Sequence, residues 1–268
     1  MRPVSPLLHS FVEGIHYHDH EGEVPERLER ILPGGRIHLM VNLDEDEFRT
    51  YHGPDCATVR RTSGAILGGP NSQASVIDTR EQRCLLSVNF KLGGARRFFK
   101  MPLHETHNQL VNLYQLWGRD GAVLREQLLE AGTPQAMFQV MESALLAHLV
   151  HPEAPDPAVR WAAAAFEYGR PVSKTASELG FLPKTFLRRF RADTGLSPKR
   201  FARVRRLQRL LGSVGDPSVA DWCALAAQFG YTDQAHLIHD FRDLTGLTPG
   251  AYQPRSAHEQ NHVPVSAG

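Results

Sequence analysis

Over the first hundred residues, apolar positions come in short runs separated by turn-forming residues. Residues 36–42 (RIHLMVN), 64–67, 74–78 and 85–90 (LLSVNF) are rich in apolar or β-branched side chains. Pro33-Gly34-Gly35, Gly68-Gly69-Pro70-Asn71 and Gly93-Gly94 bound them. Runs of this length and punctuation predict strands, and several at this spacing predict a small barrel or sandwich. After Gly94 the period lengthens. Residues 95–99, 110–117, 122–131 and 134–150 carry helical spacing, the last with Met137, Met141, Ala144, Leu145 and His148 near one stripe. Pro152, Pro155 and Pro157 then fall within seven residues, so 151–157 predicts a linker. The expected fold class is α+β: a β-barrel or sandwich with trailing helices over 1–150, then an all-α domain over 158–253. The polar, patternless stretch 254–268 predicts a disordered tail.

The helical half repeats itself. Residues 176–201 (ASELGFLPKTFLRRFRADTGLSPKRF) align with 226–252 (AAQFGYTDQAHLIHDFRDLTGLTPGAY). Gly180 matches Gly230, and the Thr-Gly-Leu-Ser/Thr-Pro strings match at Gly195 and Gly246, with one extra residue before Phe241 in the second copy. Each copy predicts a helix ended by a glycine at positive φ, an aromatic (Phe181 or Tyr231) behind the turn, and a second helix within a few residues. That is a helix-turn-helix. In copy one the second helix is expected from Pro183 to Asp193, with Phe186 and Phe190 facing the core and Lys184 and Arg188 facing away. Ser197-Pro198 caps a third helix, 198–211, whose Phe201, Val204, Leu207 and Leu211 form a core stripe.

Charge sharpens the picture. Residues 1–150 hold 15 Lys+Arg against 18 Asp+Glu, residues 170–210 hold 12 against 2, and residues 211–268 hold 2 against 6. A net +10 block between two acidic stretches predicts a surface for a polyanion. A solvated helical face is the usual reading of a charge run, but the intact apolar stripe and the duplication favour the polyanion. With 41% hydrophobic and 22% charged residues the chain is globular in composition. No apolar run approaches the roughly 20 residues a membrane helix needs, and no signal peptide is read, so a cytoplasmic protein without a membrane partner is expected. Cys56, Cys84 and Cys223 form neither a disulfide framework nor a metal-binding pair. Cys84 reads as a small buried hydrophobe, and Cys56 as the better thiol candidate.

The two copies, joined by SPKRFARVRRLQRLL, resemble the DNA-binding domain of AraC/XylS-type regulators over about 100 residues. The resemblance implies a monomeric seven-helix domain that places two reading helices in successive major grooves of double-stranded DNA. It puts base contacts on Lys184, Leu187 and Arg188, with Thr185 nearby, and on Gln234, Ala235, His236 and His239. Arg188 suits guanine O6/N7, Gln234 suits adenine N6/N7, and Leu187 offers apolar contact. Lys199, Arg200, Arg203 and Arg206 are candidates for phosphate contact. Copy two departs from the family, with Asp233 and Asp240 at its reading helix and His239 where many relatives carry arginine. The expectation is asymmetric reading: copy one supplies most affinity, and copy two adds selectivity sensitive to pH.

Residues 6–150 resemble a domain of unknown function attached to many such regulators, through 30–43 (RILPGGRIHLMVNL), 67–70, 88–94, 101–103 and 117–118. That resemblance implies a cupin-like β-domain with trailing helices, where relatives bind effectors or dimerise. His16, His18 and His20 alternate and would share a strand face as candidate metal ligands, against a solvated strand end as the simpler reading. Arg36, His38 and Asn42 would line a pocket or lie exposed. No catalytic residues and no cofactor are expected. The leading reading is a one-component transcriptional regulator with double-stranded DNA as partner, RNA polymerase, an unidentified small-molecule effector and a second copy of the chain being further candidates. The alternatives are a cupin-type metal-dependent enzyme fused to a DNA-targeting domain, and a regulator whose N-terminal domain only dimerises.

Overall fold

A computed structural model describes residues 5–20, 28–53, 55–150 and 153–265. The strands are β1 (Val12–Asp19), β2 (Leu28–Ile31), β3 (His38–Asn42), β4 (Glu47–His52), β5 (Thr58–Ser63), β6 (Ala65–Gly68), β7 (Ser75–Asp78), β8 (Cys84–Phe90), β9 (Leu110–Asn112) and β10 (His262–Pro264). They form two five-stranded sheets, ordered β1-β8-β3-β6-β9 and β10-β2-β7-β4-β5. Every described strand pairing is antiparallel. Antiparallel pairing lets each strand bury alternate residues, and Leu86, Val88 and Phe90 of β8 with Leu39 and Val41 of β3 are buried in this way.

The trailing helices close one face of that core. They are α1 (Leu113–Trp117), α2 (Arg119–Glu130) and α3 (Pro134–Ala147), and they bury Trp117, Leu124, Leu128, Met137, Met141 and Leu145 against the strands. The segment 110–117, expected as helix, divides at Asn112: three residues pair with β6, and the Asn112 side chain then caps α1 by accepting from Tyr114 N. The expected helix at 95–99 is a single 3-10 turn, Ala95–Arg97. His148 lies flat on Trp117 with ring centroids 4.3 Å apart.

The two glycine-rich turns come together. Asn71 Oδ1 accepts from Gly34 N at 3.1 Å and from Gly35 N at 3.0 Å. Asn42 is structural rather than pocket-lining, since its amide donates to the Glu47 and Glu81 carbonyls. Arg36 is exposed and pairs with Glu13.

The tail expected to be disordered is ordered through Val265. Strand β10 adds to the edge of β2, and Val263 is buried with Leu32 and Tyr252. The partner that holds it is a carboxylate the sequence hides within Leu28–Ile31. Glu29 is 0% exposed and accepts from Arg255 at 3.0 Å and from His262 at 2.8 Å. A buried carboxylate is tolerable only when paired, so the tail and the sheet require one another. Glu29→Ala leaves Arg255 and His262 without their buried partner and is expected to cost about 3 kcal/mol of unfolding free energy in a urea titration.

His38 packs across β3 onto Gly68, where an added Cβ would lie 2.8 Å from its ring. Burial, helped by the charge of Arg36, lowers its pKa to about 4. The unfolded chain takes up this proton near pH 6.5, while the fold refuses it until about pH 4. The neutral ring therefore stabilises the fold above pH 6.5, and that contribution, at most about 3 kcal/mol, is lost as the pH falls towards 4. Urea titrations from pH 7 to pH 4 are expected to show a shallower pH slope for His38→Gln than for the parent chain.

Candidate nucleic-acid interface

Six helices build the C-terminal half: α4 (Pro157–Glu167), α5 (Val172–Glu178), α6 (Pro183–Thr194), α7 (Pro198–Ser213), α8 (Trp222–Gln228) and α9 (Gln234–Thr245). The resemblance implied seven helices; among the described residues six α-helices are present, followed by a 3-10 turn at Pro249–Ala251. The duplicated sequence yields duplicated geometry. Helices α5 and α8 have 7 residues each, and α6 and α9 have 12 each. The turns pass through Gly180 at φ 67° and Gly230 at φ 73°, a region that favours glycine. The Thr-Gly-Leu strings do one job in both copies. Thr194 and Thr245 donate back to the Phe190 and Phe241 carbonyls and accept from the Leu196 and Leu247 amides, across Gly195 at φ 75° and Gly246 at φ 74°.

Helix α7 joins the copies by belonging to both cores. Phe201 packs with Phe166, Phe186 and Phe190, whereas Val204, Leu207, Leu210 and Leu211 pack with Leu237, Phe241 and Leu244 of α9. Burying the aromatic stripe of α6 leaves Lys184, Leu187, Arg188 and Arg191 on its outer face, and Thr185 half-buried beside them. Arg191 was not singled out in the sequence, although it lies one turn beyond Leu187 and Arg188 on the same face. On α9, Gln234, Ala235 and His239 are exposed. His236 is held back, with Nδ1 3.3 Å from Thr232 and its ring edge-on to Tyr231.

The structure sorts the cations of the basic block into two classes. Arg203 donates to Asp240 and Asp243 at 2.6 Å each, and Arg206 donates to Asp240 at 2.9 Å while stacking 4.1 Å from the Tyr231 ring centre. Both were candidates for phosphate contact; here their guanidinium groups bind α7 to α9. Lys199 and Arg200 are exposed, and no carboxylate pairs with them among the described residues. The same holds for Lys184, Arg188 and Arg191. The acidic residues of copy two also have places. Asp233 caps α9 by accepting from His236 N at 2.7 Å, and Asp240 is only 3% exposed. Asp240 is thus neutralised inside the fold, whereas Asp233 stays exposed at the start of α9. Between α7, α9 and the turn into α5 lies an open cleft of about 650 Å³, lined by Lys199, Arg203, Arg206, His236 and His239 among others.

Both α6 and α9 end on the N-terminal domain. Gly195 sits so close to Pro70 and the Leu103 carbonyl that an added Cβ would lie 2.6 Å from the proline ring. Ala74 N donates to Leu244 O at 3.0 Å, and Arg30 donates to Thr245 O at 3.4 Å. In the middle, Gln208 of α7 donates to Pro33 O at 2.9 Å. Asp193, in α6, is 2% exposed and accepts from Arg96 at 2.7 Å and from Asp156 N at 3.2 Å. The matching position of copy two is Leu244, a core residue.

The remaining candidates are dispersed. His16 and His18 share a strand face with parallel rings 6.3 Å apart, and His20 is exposed beyond the strand end. No group of three or more His, Cys, Asp or Glu side chains among the described residues is placed to hold a metal ion. Cys84 is half-buried with its thiol 3.5 Å from Tyr17 Oη, and burial raises its pKa. Cys56 occupies a left-handed turn position at φ 57°. No helix among the described residues is long and apolar enough to cross a membrane.

The division of cations has a measurable consequence. Arg206→Ala is expected to lower the melting temperature while leaving the salt dependence of duplex binding unchanged. Arg200→Ala is expected to leave the melting temperature unchanged and to reduce the slope of log K against log salt by about 0.9.

A helix-turn-helix domain family matches residues 175–255, and a domain of unknown function (DUF6597) matches residues 2–112. No curated protein is similar to the chain in sequence. Among solved structures, ToxT from Vibrio cholerae O395 is 12% identical with a TM-score of 0.43, covering 91% of this chain and 97% of that one. ToxT from strain O395 bound to (E)-4-(8-methylnaphthalen-1-yl)but-3-enoic acid is 10% identical with a TM-score of 0.45, covering 89% and 96%. Unsaturated fatty acid-bound wild-type ToxT from Vibrio cholerae strain SCE256 is 10% identical with a TM-score of 0.43, covering 93% and 95%. With its duplicated, cation-bearing helices, the chain carries an AraC-type helix-turn-helix domain at its C-terminal end beside an N-terminal DUF6597 domain.

Proposed function

We propose that the chain reads two successive major grooves of one DNA site, α6 in the first and α9 in the second, and that the N-terminal domain sets the relation between them. The observation that carries this reading is the matched pair of 12-residue helices, each with its outer face exposed and its C-terminal glycine seated on the N-terminal domain. A short helix inserted by its N-terminal half needs a fixed tilt, because a small rotation removes side chains from the base edges. Anchoring the far end supplies that tilt.

In this reading Lys184, Thr185, Leu187 and Arg188 face the bases of the first site, and Gln234, Ala235 and His239 face those of the second, with His236 held back beside them. Lys199 and Arg200 hold phosphates and set the register. The two copies are unequal in charge. The outer face of α6 carries three unpaired cations, Lys184, Arg188 and Arg191, whereas α9 carries Arg242 near its distal end. Copy one therefore supplies most of the affinity, and copy two contributes selectivity through polar side chains.

An effector that repositions the N-terminal domain would act on both reading helices at once, through Gly195 and Asp193 on one side and Leu244 and Thr245 on the other. A dimer of the chain and contact with RNA polymerase belong to the same proposal as routes from DNA binding to regulation.

The test starts from duplexes enriched from a random pool by the full chain. Arg188→Ala is expected to weaken binding by about 5- to 150-fold, matching the roughly 1–3 kcal/mol of a bidentate guanine contact, and to relax preference at one base pair. His239→Ala is expected to cost less affinity and to alter preference in the other half of the footprint. A larger loss from His239→Ala would overturn the asymmetry, and failure to enrich any sequence would overturn the reading itself.

A further inference from the structure

Helix α6 does not face open solvent along its whole length. Opposite its outer face lies the segment of the N-terminal domain between the 3-10 turns Ala95–Arg97 and Leu103–Thr106. The two walls enclose an open cleft of about 490 Å³. Lys184, Arg188 and Arg191 line it from the helix, and Arg96, Lys100 and His104 line it from the opposite wall, with no carboxylate among its lining residues. Arg96 is occupied by Asp193 at the floor. Lys100, Lys184, Arg188 and Arg191 pair with no carboxylate among the described residues. The Nδ1 atom of His104 is buried without a hydrogen-bond partner.

Two like-charged walls facing each other across a cleft are unfavourable unless something of opposite sign lies between them. A wall that served to mask the reading helix would carry carboxylates matching its arginines. The N-terminal domain has the carboxylates to do so, being net negative over residues 1–150, yet it offers a lysine, an arginine and a histidine here. The positive field continues past the cleft, since burial together with the charges of Arg200 and Arg191 depresses the pKa of His107 on the same domain.

We propose that this segment is a third DNA-contacting element, in which Lys100 and His104 grip the sugar–phosphate backbone of the strand bordering the major groove that α6 reads. The inference rests on the reading of α6 as a base-contacting helix and extends the DNA surface onto a domain with no helix-turn-helix. Lys100 supplies a charge without sequence preference, and the half-buried imidazole of His104, whose Nδ1 is turned inward, offers its other ring nitrogen to a phosphate oxygen or its bound water. The segment is fixed at both ends by buried residues, Phe98 and Phe99 before it and Leu103 after it, so its cations are held in place.

Full-length Lys100→Ala and the double variant Lys100→Ala/His104→Ala test this against two probes: a mixed-sequence duplex long enough to span both reading helices, and a duplex enriched by the parent chain. Lys100 is exposed, so its replacement leaves the fold intact, and an unchanged melting curve checks this. The expected result is weaker binding to both duplexes in equal proportion, with the salt slope smaller by about 0.9 for the lysine. Lys100→Glu is expected to weaken binding further. Unchanged affinity and slope in Lys100→Ala would overturn the proposal, and so would tighter binding, which would mean that the wall obstructs the helix. Arg188→Ala measured in parallel separates the two readings. If Arg188 matters and Lys100 does not, only the third contact fails; if neither matters, the reading of α6 fails with it.

Discussion

The Asp240 carboxylate settles the geometry of the helical domain. It belongs to a reading helix, yet it lies inside the protein, where it receives Arg203 and Arg206 from the helix that joins the two repeats. A buried charge of this kind adds little net stability, because desolvation offsets attraction, but losing one partner leaves the other stranded. Its value is directional. The pair fixes how α9 sits on α7, and α7 in turn packs its Phe201 into the first repeat, so one carboxylate constrains the angle between the two reading helices. It also divides the basic block, drawing two arginines inward while Lys184, Arg188, Arg191, Lys199 and Arg200 stay free.

The sequence made some of this legible and concealed the rest, for identifiable reasons. The repeat was readable because glycine at positive φ and the Thr-Gly-Leu-Ser/Thr-Pro string have narrow structural uses, and both copies keep them. Strands such as β3 and β8 were readable because their apolar residues alternate. Strand β5 was not, since Thr58–Ser63 is polar and lies on a sheet edge with little to bury. Strand β2 was hidden for the opposite reason. Its Glu29 looks like a surface residue in the sequence, and only the distant Arg255 and His262 explain its burial. The same distance concealed the ordered tail, because a three-residue strand gains its meaning from an edge more than 200 residues earlier in the chain.

The site was legible by residue type and less so by role. Charge alone could not separate Arg203 and Arg206 from Lys199 and Arg200, because spacing along one helix places all four within reach of a phosphate. Which of them is free depends on carboxylates 34 to 40 residues away in the second repeat. The acidic residues of copy two looked like a departure that would repel DNA. In the fold Asp240 is neutralised by two arginines while Asp233 caps its helix and stays exposed, so the weaker positive charge of that copy reflects missing arginines together with one exposed carboxylate.

Comparing the repeats shows where the fold departs from symmetry. At the position where α9 has the core residue Leu244, α6 has Asp193, buried and paired across the domain boundary with Arg96. A leucine there would serve the helical domain alone. The aspartate makes the first reading helix depend on the N-terminal domain for the satisfaction of a buried charge, so that domain cannot withdraw without stranding it or bringing water to it. The helix α9 is tied to the same domain by Ala74 N on the Leu244 carbonyl and by the Arg30 guanidinium on the Thr245 carbonyl, neither of which involves a buried carboxylate. The coupling between the N-terminal domain and the two helices is therefore unequal by construction: through a buried ion pair at α6, which carries Lys184, Arg188 and Arg191, and through carbonyl contacts alone at α9.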